Sequence, residues 1–245
     1  MYFNKSIYYE GRFTMSVESH QTMVSTSFRQ FDEQLLSLEE QLARLLYYNV
    51  TYWNGRLTDE WFRALTTDMV RPQHVYDCEV FHVSFPTLVE TIEMWWRVYV
   101  GELGAFWRDP FLDANLENFQ LWSEQVHEYS PGIHRVRINL VSYWGSKKGL
   151  SIDKVRCLVK ETHETLAQLE VLSALGLHLN LLKVQDGVNL PFCDMPGTNL
   201  VAKNDPRSYT LSVRYSQQSD KLFLVLSSSD ISCAEWAVSM LRDTP

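Results

Sequence analysis

The stretch HRVRINLVSYWGSKKGLSIDK, residues 134–154, contains the sharpest change of pattern in the chain and decides which kind of fold it forms. Apolar side chains stand at every second position in its first part, at Val136, Ile138 and Leu140. This period of two predicts a β-strand with one solvated face. Ser151, near the end of the stretch, precedes apolar residues at helical spacing, so we expect it to cap a helix.

The chain beyond residue 154 predicts one helix followed by further β-structure. The helix is expected to end at Gly176, a natural stop, and LHLNLLKV, residues 177–184, predicts a second strand that completes a β-α-β unit. SYTLSVRY (208–215) and KLFLVLSS (221–228), joined by the polar SQQSD, predict an antiparallel hairpin. A short helix is expected over residues 234–241. The apolar stripe of the long helix consists of Ile152, Val155, Val159, Leu166 and Leu169.

Helical spacing dominates the chain before residue 130. In STSFRQFDEQLLSLEEQLARLLYY, residues 25–48, apolar side chains recur at alternating steps of three and four. This spacing predicts a helix capped within residues 25–27 and packed in its own fold, with an intermolecular partner as the alternative. Asn54-Gly55 predicts a turn before a shorter helix. Residues 87–107 and 113–126 predict two more helices, the first apolar on nearly every side and therefore buried or pressed against a partner.

These patterns together predict an α+β fold. A mainly helical N-terminal half, residues 1–130, is expected to pack on an α/β region, residues 131–245. That region would hold a small mixed β-sheet, the β-α-β unit and the C-terminal β-hairpin. Ser130-Pro131-Gly132 separates the two regions. Because so short a break is not a linker, the two regions are expected to share one core.

Composition and charge narrow the class of protein. Of the 245 residues, 45% are hydrophobic and 21% are charged, which is typical of a globular protein. The net charge of −8 disfavours general nucleic-acid binding, which depends on neutralising phosphates. The chain lacks a long uncharged apolar run and an apolar leader, so we expect neither a membrane span nor export. Scattered cysteines without a C-x-x-C pair favour a cytoplasmic location, and no motif indicates a cofactor.

The loop GSKKG, residues 145–149, is the strongest chemical signal. Residues 134–160 hold seven basic side chains and one acidic one, in a chain that is acidic elsewhere. A basic, glycine-flanked loop that leads into a helix N-terminus favours anions, although it matches neither the Walker A nor the dinucleotide-binding pattern. The alternative is a solvated turn. The predicted ligand-binding residues are Lys147, Lys148, Ser151, Arg135 and Arg137.

Two weaker patterns suggest reactive or metal-binding side chains. His74, Cys78 and His82 recur every four residues, as ligands on one helical face would, but no fourth ligand is evident and packed or surface histidines are the favoured interpretation. Cys193 lies in a proline-bracketed loop, and His178 is the nearest histidine that could activate it as a nucleophile. A rigid connector is the favoured interpretation of that loop.

Two further motif matches fail on a required residue. The calcium-loop pattern that starts at Asp113 has Asn118 where glycine is needed. The pair His163-Glu164 lacks the second histidine of a zinc-protease helix, because residue 167 is alanine. Neither match is retained as a site.

Three functional hypotheses remain. The first is an intracellular protein that acts through a protein partner, or through self-association, on an aromatic-rich helical surface. The second is a binding module or enzyme for a phosphorylated or otherwise anionic small molecule at residues 145–151. The third is a cysteine- or metal-dependent enzyme. The first is favoured because no reaction-specific motif is present, and whether the protein is an enzyme stays open.

Overall fold

The fold is described from a computed structural model. The structure describes residues 35–63, 65, 77–104, 106–140, 150–162, 164–183, 192–201, 207–216, 221–231 and 236–242. Within them the α-helices are α1 Leu38–Thr51, α2 Asp59–Phe62, α3 Leu88–Leu103, α4 Pro110–Asn115, α5 Ile152–Thr162 and α6 Glu170–Leu177. Two 3-10 helices span Leu116–Asn118 and Leu179–Lys183. The strands are β1 Asp77–Ser84, β2 Phe106–Arg108, β3 Phe119–Leu121, β4 Gly132–Asn139, β5 Thr165–Leu166, β6 Phe192–Val201, β7 Ser208–Ser216, β8 Lys221–Ser228, β9 Trp236–Val238 and β10 Met240–Arg242.

The described strands form two sheets. The first sheet has the order β1-β4-β10-β5 and is antiparallel throughout. The second sheet has the order β2-β8-β7-β6-β3, with β9 also paired to β6, and it is mixed because the β2–β8 and β6–β9 pairs are parallel. Ser239 joins the two sheets: its N–H donates to Asp194 O and its hydroxyl to Leu140 O. The α+β class predicted from the sequence is confirmed.

Helix α6 lies at the centre of the core. All eight of its residues are buried, and it contacts α1, α3, β1 and β4. The Tyr48 hydroxyl of α1 donates to Gly176 O at 2.9 Å, and the Tyr99 hydroxyl of α3 donates to Leu172 O at 2.5 Å. The buried cluster around α6 runs from Leu38 to Leu224 and draws on both sides of residue 130.

Strand β1 is an edge strand that side chains shield from water. Gln41 of α1 is fully buried and hydrogen-bonds to the backbone of β1, as a neighbouring strand would. Its Nε2 donates to Glu79 O and its Oε1 accepts from Phe81 N. The Ser173 hydroxyl of α6 accepts from Val83 N at 3.3 Å. These contacts satisfy backbone groups that an uncovered edge would leave to solvent or to another chain.

Several local predictions are confirmed. The hairpin strands predicted over 208–215 and 221–228 are β7 and β8, paired antiparallel. Asn54 and Gly55 have φ values of 51° and 73°, as the predicted turn requires. The helix predicted within 87–107 is α3, and the strand predicted from residue 134 is β4.

Several local predictions are wrong. Helix α1 begins at Leu38 behind the capping box of Ser37 and Glu40, not further upstream; residues 25–27 lie outside the described residues. The single helix predicted from Ser151 to Gly176 is interrupted by β5, which contains Leu166 of its predicted stripe, and Gly176 lies inside α6. Residues 179–183 form a 3-10 helix and not a strand, so the β-α-β unit does not form. Residues 236–242 form β9 and β10 where a helix was expected, and β3 interrupts the helix predicted over 113–126.

Pairing between distant segments explains these differences. Short apolar runs are ambiguous between helix and strand in sequence, so a sheet edge decides their state. The edge of β6 takes both β3 and β9, and β4 takes β10. Since β1, β2 and β3 all precede residue 130, the mainly helical character expected of that half is not confirmed. No helix among the described residues is long and apolar enough to cross a membrane.

Candidate functional site

The first sheet carries a row of polar and charged side chains on one face. Strand register places Glu79 opposite Arg137 and Asp77 opposite Asn139. Because side chains two residues apart on a strand share a face, Arg135 lies on this face too. We call this set the charged face: Asp77, Glu79, Arg135, Arg137 and Asn139.

Every residue of the charged face except the partly buried Arg135 is buried, which corrects the solvated face predicted for this strand. Arg137 is 6% exposed and Asn139 3%. The Arg135 Nε donates to Glu79 Oε1 at 2.6 Å, and the Asn139 Nδ2 donates to Asp77 Oδ1 at 2.5 Å. The carboxylate directly across from Arg137 therefore binds the neighbouring arginine.

Arg137 differs from its neighbours on this face. Its Nη2 is buried and has no hydrogen-bond partner among the residues that the structure describes. A guanidinium keeps its charge in a protein and offers five N–H donors in a planar fork. The charged face thus holds a buried cation with a donor that can still bind an oxygen atom.

The structure brings together only part of the predicted anion site. Arg135 and Arg137 share the charged face, whereas Lys147 and Lys148 lie outside the described residues. Ser151 is buried and caps α5 as predicted, since its hydroxyl accepts from Lys154 N at 3.4 Å. The start of α5 lies on the second sheet, where Asp153 N donates to Ser229 O.

The two cysteines singled out in the sequence are buried in the core, Cys78 on β1 and Cys193 on β6, so the loop predicted around Cys193 is a strand. Burial raises the pKa of the Cys78 and Cys193 thiols well above the ordinary range. A nucleophilic cysteine needs the opposite shift, toward the thiolate. The Nδ1 of His178 bonds to Ala174 O at 2.9 Å, so that nitrogen is engaged by its own helix. These contacts do not support a cysteine nucleophile.

His82 is a packed histidine, as favoured from the sequence. It is 2% exposed, its Nδ1 bonds to the Ser173 hydroxyl at 2.9 Å, and burial lowers its pKa to about 3. Cys78 and His82 lie on β1 and not on a helix, and His74 lies outside the described residues. In the part of the chain that the structure describes, no three His, Cys, Asp or Glu side chains are arranged to hold a metal ion.

Sequence reasoning missed a cluster of rings around Tyr129. The Tyr129 ring centroid lies 4.7 Å from that of His82, 4.5 Å from His127 and 4.9 Å from His134. Glu170 at the start of α6 lies beside the Tyr129 hydroxyl, and burial raises the pKa of Glu170 to about 7. The ring residues come from β1, from β4 and from the segment that precedes β4. No local sequence motif could therefore have predicted the cluster.

A second buried carboxyl lies on β6. Asp194 is 1% exposed and accepts a hydrogen bond from the Ser212 hydroxyl, which also bonds to Ser227 at 2.6 Å. Burial raises the pKa of Asp194 to about 7, against the opposing effect of the two serine hydroxyls. Asp194 and Glu170 both bind protons near neutral pH, but each is enclosed, with Asp194 1% exposed and Glu170 fully buried.

Apolar side chains are exposed where α1 and α3 end. Leu46 is 48% exposed, Tyr47 51% and Val50 79%. Tyr52 links this group to α3, because its ring packs edge-on against Tyr47 and its hydroxyl donates to Glu102 Oε1 at 2.8 Å. Val100 on the last turns of α3 is also exposed. We call this set the helical apolar surface: Leu46, Tyr47, Val50, Tyr52 and Val100.

Comparisons with known proteins give no match for this chain: no family model, curated protein or solved structure is significantly similar. The charged face and the helical apolar surface are therefore the features of this chain from which a function can be inferred.

Proposed function

We propose that this is an intracellular protein that acts by binding a protein partner at the helical apolar surface. The single observation that supports the proposal is the outward face of α1, where Leu46, Tyr47 and Val50 are each about half exposed or more. A lone exposed apolar side chain is ordinary, but a contiguous group on one helix is a feature of interaction sites.

Helix α1 is apolar on two faces. The inward face consists of Leu38, Gln41, Leu45 and Tyr48, all buried. The outward face consists of Ala43, Leu46, Tyr47 and Val50, all exposed and spaced i, i+3, i+4 and i+7. The inward face packs in the core of this chain, whereas the outward face is exposed. The spacing of the outward apolar side chains matches the contacts that a second helix would make with them.

Charge selects the kind of helix that would bind. Glu39 and Glu40 are exposed at the start of α1, and Glu102 is exposed where α3 ends, against one exposed basic side chain, Arg97, on the last two turns of α3. Arg44 points to the core side and donates to Leu177 O at 2.7 Å. A second copy of this acidic chain would bring like charges together, so the proposed partner is an amphipathic helix with Lys or Arg beside its apolar stripe.

The test uses a basic amphipathic model peptide of alternating leucine and lysine at helical spacing. We expect the Leu46→Asp/Val50→Asp variant to bind it at least tenfold more weakly than the wild type, since both side chains leave the apolar contact. Val201→Asp/Ile231→Asp is the matched control, because these side chains are also about half exposed but lie elsewhere. Titration calorimetry measures the Kd of each protein.

Two outcomes would contradict this proposal. Equal peptide affinity in the wild type and the Leu46→Asp/Val50→Asp variant would show that the surface does not bind basic helices. Sedimentation that reveals a wild-type dimer, absent in the same variant, would assign the surface to self-association instead. Because the substituted side chains are exposed, unfolding free energies should stay within about 0.5 kcal/mol of the wild type.

A second candidate function is the binding of a phosphorylated or other anionic small molecule at residues 145–151. It is supported by the position of the charged face, because β4 carries Arg135 and Arg137 and precedes these residues in the chain. Phosphate, nucleotides and sugar phosphates would be screened by thermal shift on the wild type and on Lys147→Ala/Lys148→Ala. A ligand at a hundred times its Kd should raise Tm by about 5–10 °C in the wild type and not in the variant.

A further inference from the structure

Arg137 is the side chain on which a further site can be argued. It lies on β4, between β1 and β10, and only 6% of its surface is exposed. An enclosed guanidinium is costly unless its N–H groups meet acceptors or an opposite charge. Its buried Nη2 meets neither among the described residues.

The two carboxylates on the charged face are engaged with other residues. Glu79 lies across from Arg137 in the strand register, yet its Oε1 binds Arg135 Nε in an ion pair whose carboxylate is almost fully buried. Asp77 Oδ1 accepts from Asn139. Arg135 is therefore matched by a carboxylate of its own chain, whereas Arg137 is matched by none in the described part.

We propose that Arg137 binds the oxyanion group, carboxylate or phosphate, of a small molecule at the charged face. A planar guanidinium fork fits both groups, and hydrogen bonds between charged partners are among the strongest in proteins. The enclosure of the site favours a small ligand over a macromolecule. The site deepens the second candidate function, but its determinant lies on β4 and not on Lys147 or Lys148.

The experiment compares inorganic phosphate and acetate with sodium chloride at matched ionic strength. Thermal shift and titration calorimetry are applied to the wild type, Arg137→Met and Arg137→Lys. We expect phosphate or acetate to raise the wild-type Tm beyond the chloride value, and Arg137→Met to weaken binding at least tenfold. Arg137→Lys should keep part of the affinity, because it keeps the charge but loses the fork. The arm that responds identifies the oxyanion.

Arg56→Met is the matched control. Unlike Arg137, Arg56 pairs with a carboxylate, that of Glu90, and its side chain is about half exposed. It should respond to anions as the wild type does. Without added anion, Arg137→Met should be as stable as the wild type or more stable, because it removes a buried charge. If Arg137→Met does not fold, Arg137→Lys takes its place in the test. A tenfold loss of anion affinity in Arg137→Lys supports the inference, and an affinity equal to that of the wild type overturns it.

The outcomes separate this inference from the loop candidate. Anion binding that is lost in Arg137→Met and kept in Lys147→Ala/Lys148→Ala supports the site on β4. The reverse result overturns the inference and leaves the loop candidate standing. An equal response in the wild type and Arg137→Met overturns it as well. The absence of any response to phosphate and acetate also overturns the inference. If a larger phosphate ester then still binds through Lys147 and Lys148, the loop candidate stands.

Discussion

At the scale of single residues, Gly176 shows how the absence of a side chain sets the core. A Cβ added there would overlap the ring of Trp95 and would lie 2.6 Å from its Cε3. The Trp95 ring is fully buried and has Trp53 edge-on at 5.2 Å, so it has no room to withdraw. Glycine is required at this position by close packing of two helices and not by the end of a helix.

We therefore expect Gly176→Ala to lower the free energy of unfolding by about 1–3 kcal/mol, the usual cost of overpacking a core. Chemical denaturation of the single variants and of the double variant with Trp95→Leu measures it. Trp95→Leu is destabilising by itself, but it removes the ring that the new methyl group meets. The added cost of Gly176→Ala should shrink in that background. An unchanged cost would mean that the contact with Trp95 is not its origin.

At the scale of elements, β1 can be buried because side chains of two helices hydrogen-bond to the backbone groups of its open edge. Gln41 presents both its amide donor and its acceptor to the strand edge, and Ser173 takes a third backbone group. The sequence places Gln41 among the leucines of a helical stripe, where a polar residue looks like an exception. Its amide is the reason why α1 can cover a sheet edge.

Gln41→Leu tests this role of α1. The substitution keeps the volume but leaves Glu79 O and Phe81 N without their partners in the interior. Two such groups should cost about 2–4 kcal/mol of unfolding free energy. Equilibrium denaturation in urea measures the change, and Glu39→Gln on the exposed side of α1 should stay within about 0.5 kcal/mol of the wild type. A small loss in Gln41→Leu would show that other groups satisfy the edge.

At the scale of the whole molecule, buried carboxyl and imidazole groups bind protons differently in the folded and unfolded chain. Burial raises the pKa of Glu170 and of Asp194 to about 7, so the folded protein keeps protons that the unfolded chain has released. Stability therefore falls as the pH rises from about 4 to 7 on account of these two. Burial lowers the pKa of His82 to about 3 and of His178 to about 4, so stability also falls as the pH drops below about 6.5.

The two effects oppose each other between about pH 4.5 and 6.5, so we expect a plateau of maximum stability there and a decline toward pH 7.5. Urea denaturation from pH 4 to 8 measures the profile. Asp194→Asn removes one carboxyl, and its stability relative to the wild type should rise with pH by an amount on the order of 2–4 kcal/mol. Thr51→Ala, an exposed substitution that removes no titratable group, should show a constant difference. A wild-type maximum above pH 7.5 would contradict the assignment.

The predictability of the fold varied with the range of the contacts. Helix α3, strand β4 and the β7–β8 hairpin could be predicted because their periods and turn residues are local signals. Strands β3, β9 and β10 could not, since three-residue strands exist only through pairing with β4 and β6. The candidate site divides in the same way: Arg135 and Arg137 were identified from local charge, but the burial of Arg137 was not.

The sequence by itself determined the α+β class, helix α3 and the alternation that places Arg135 and Arg137 on one face of a strand. These features follow from the spacing of apolar and polar residues along the chain, which is a property of the sequence itself. Only the tertiary structure decided that this face is buried, that Glu79 binds Arg135 and leaves Arg137 without that carboxylate, and that α1 is apolar outside as well as inside. Burial and charge pairing depend on segments far apart in the chain, so their energies are fixed only when those segments meet.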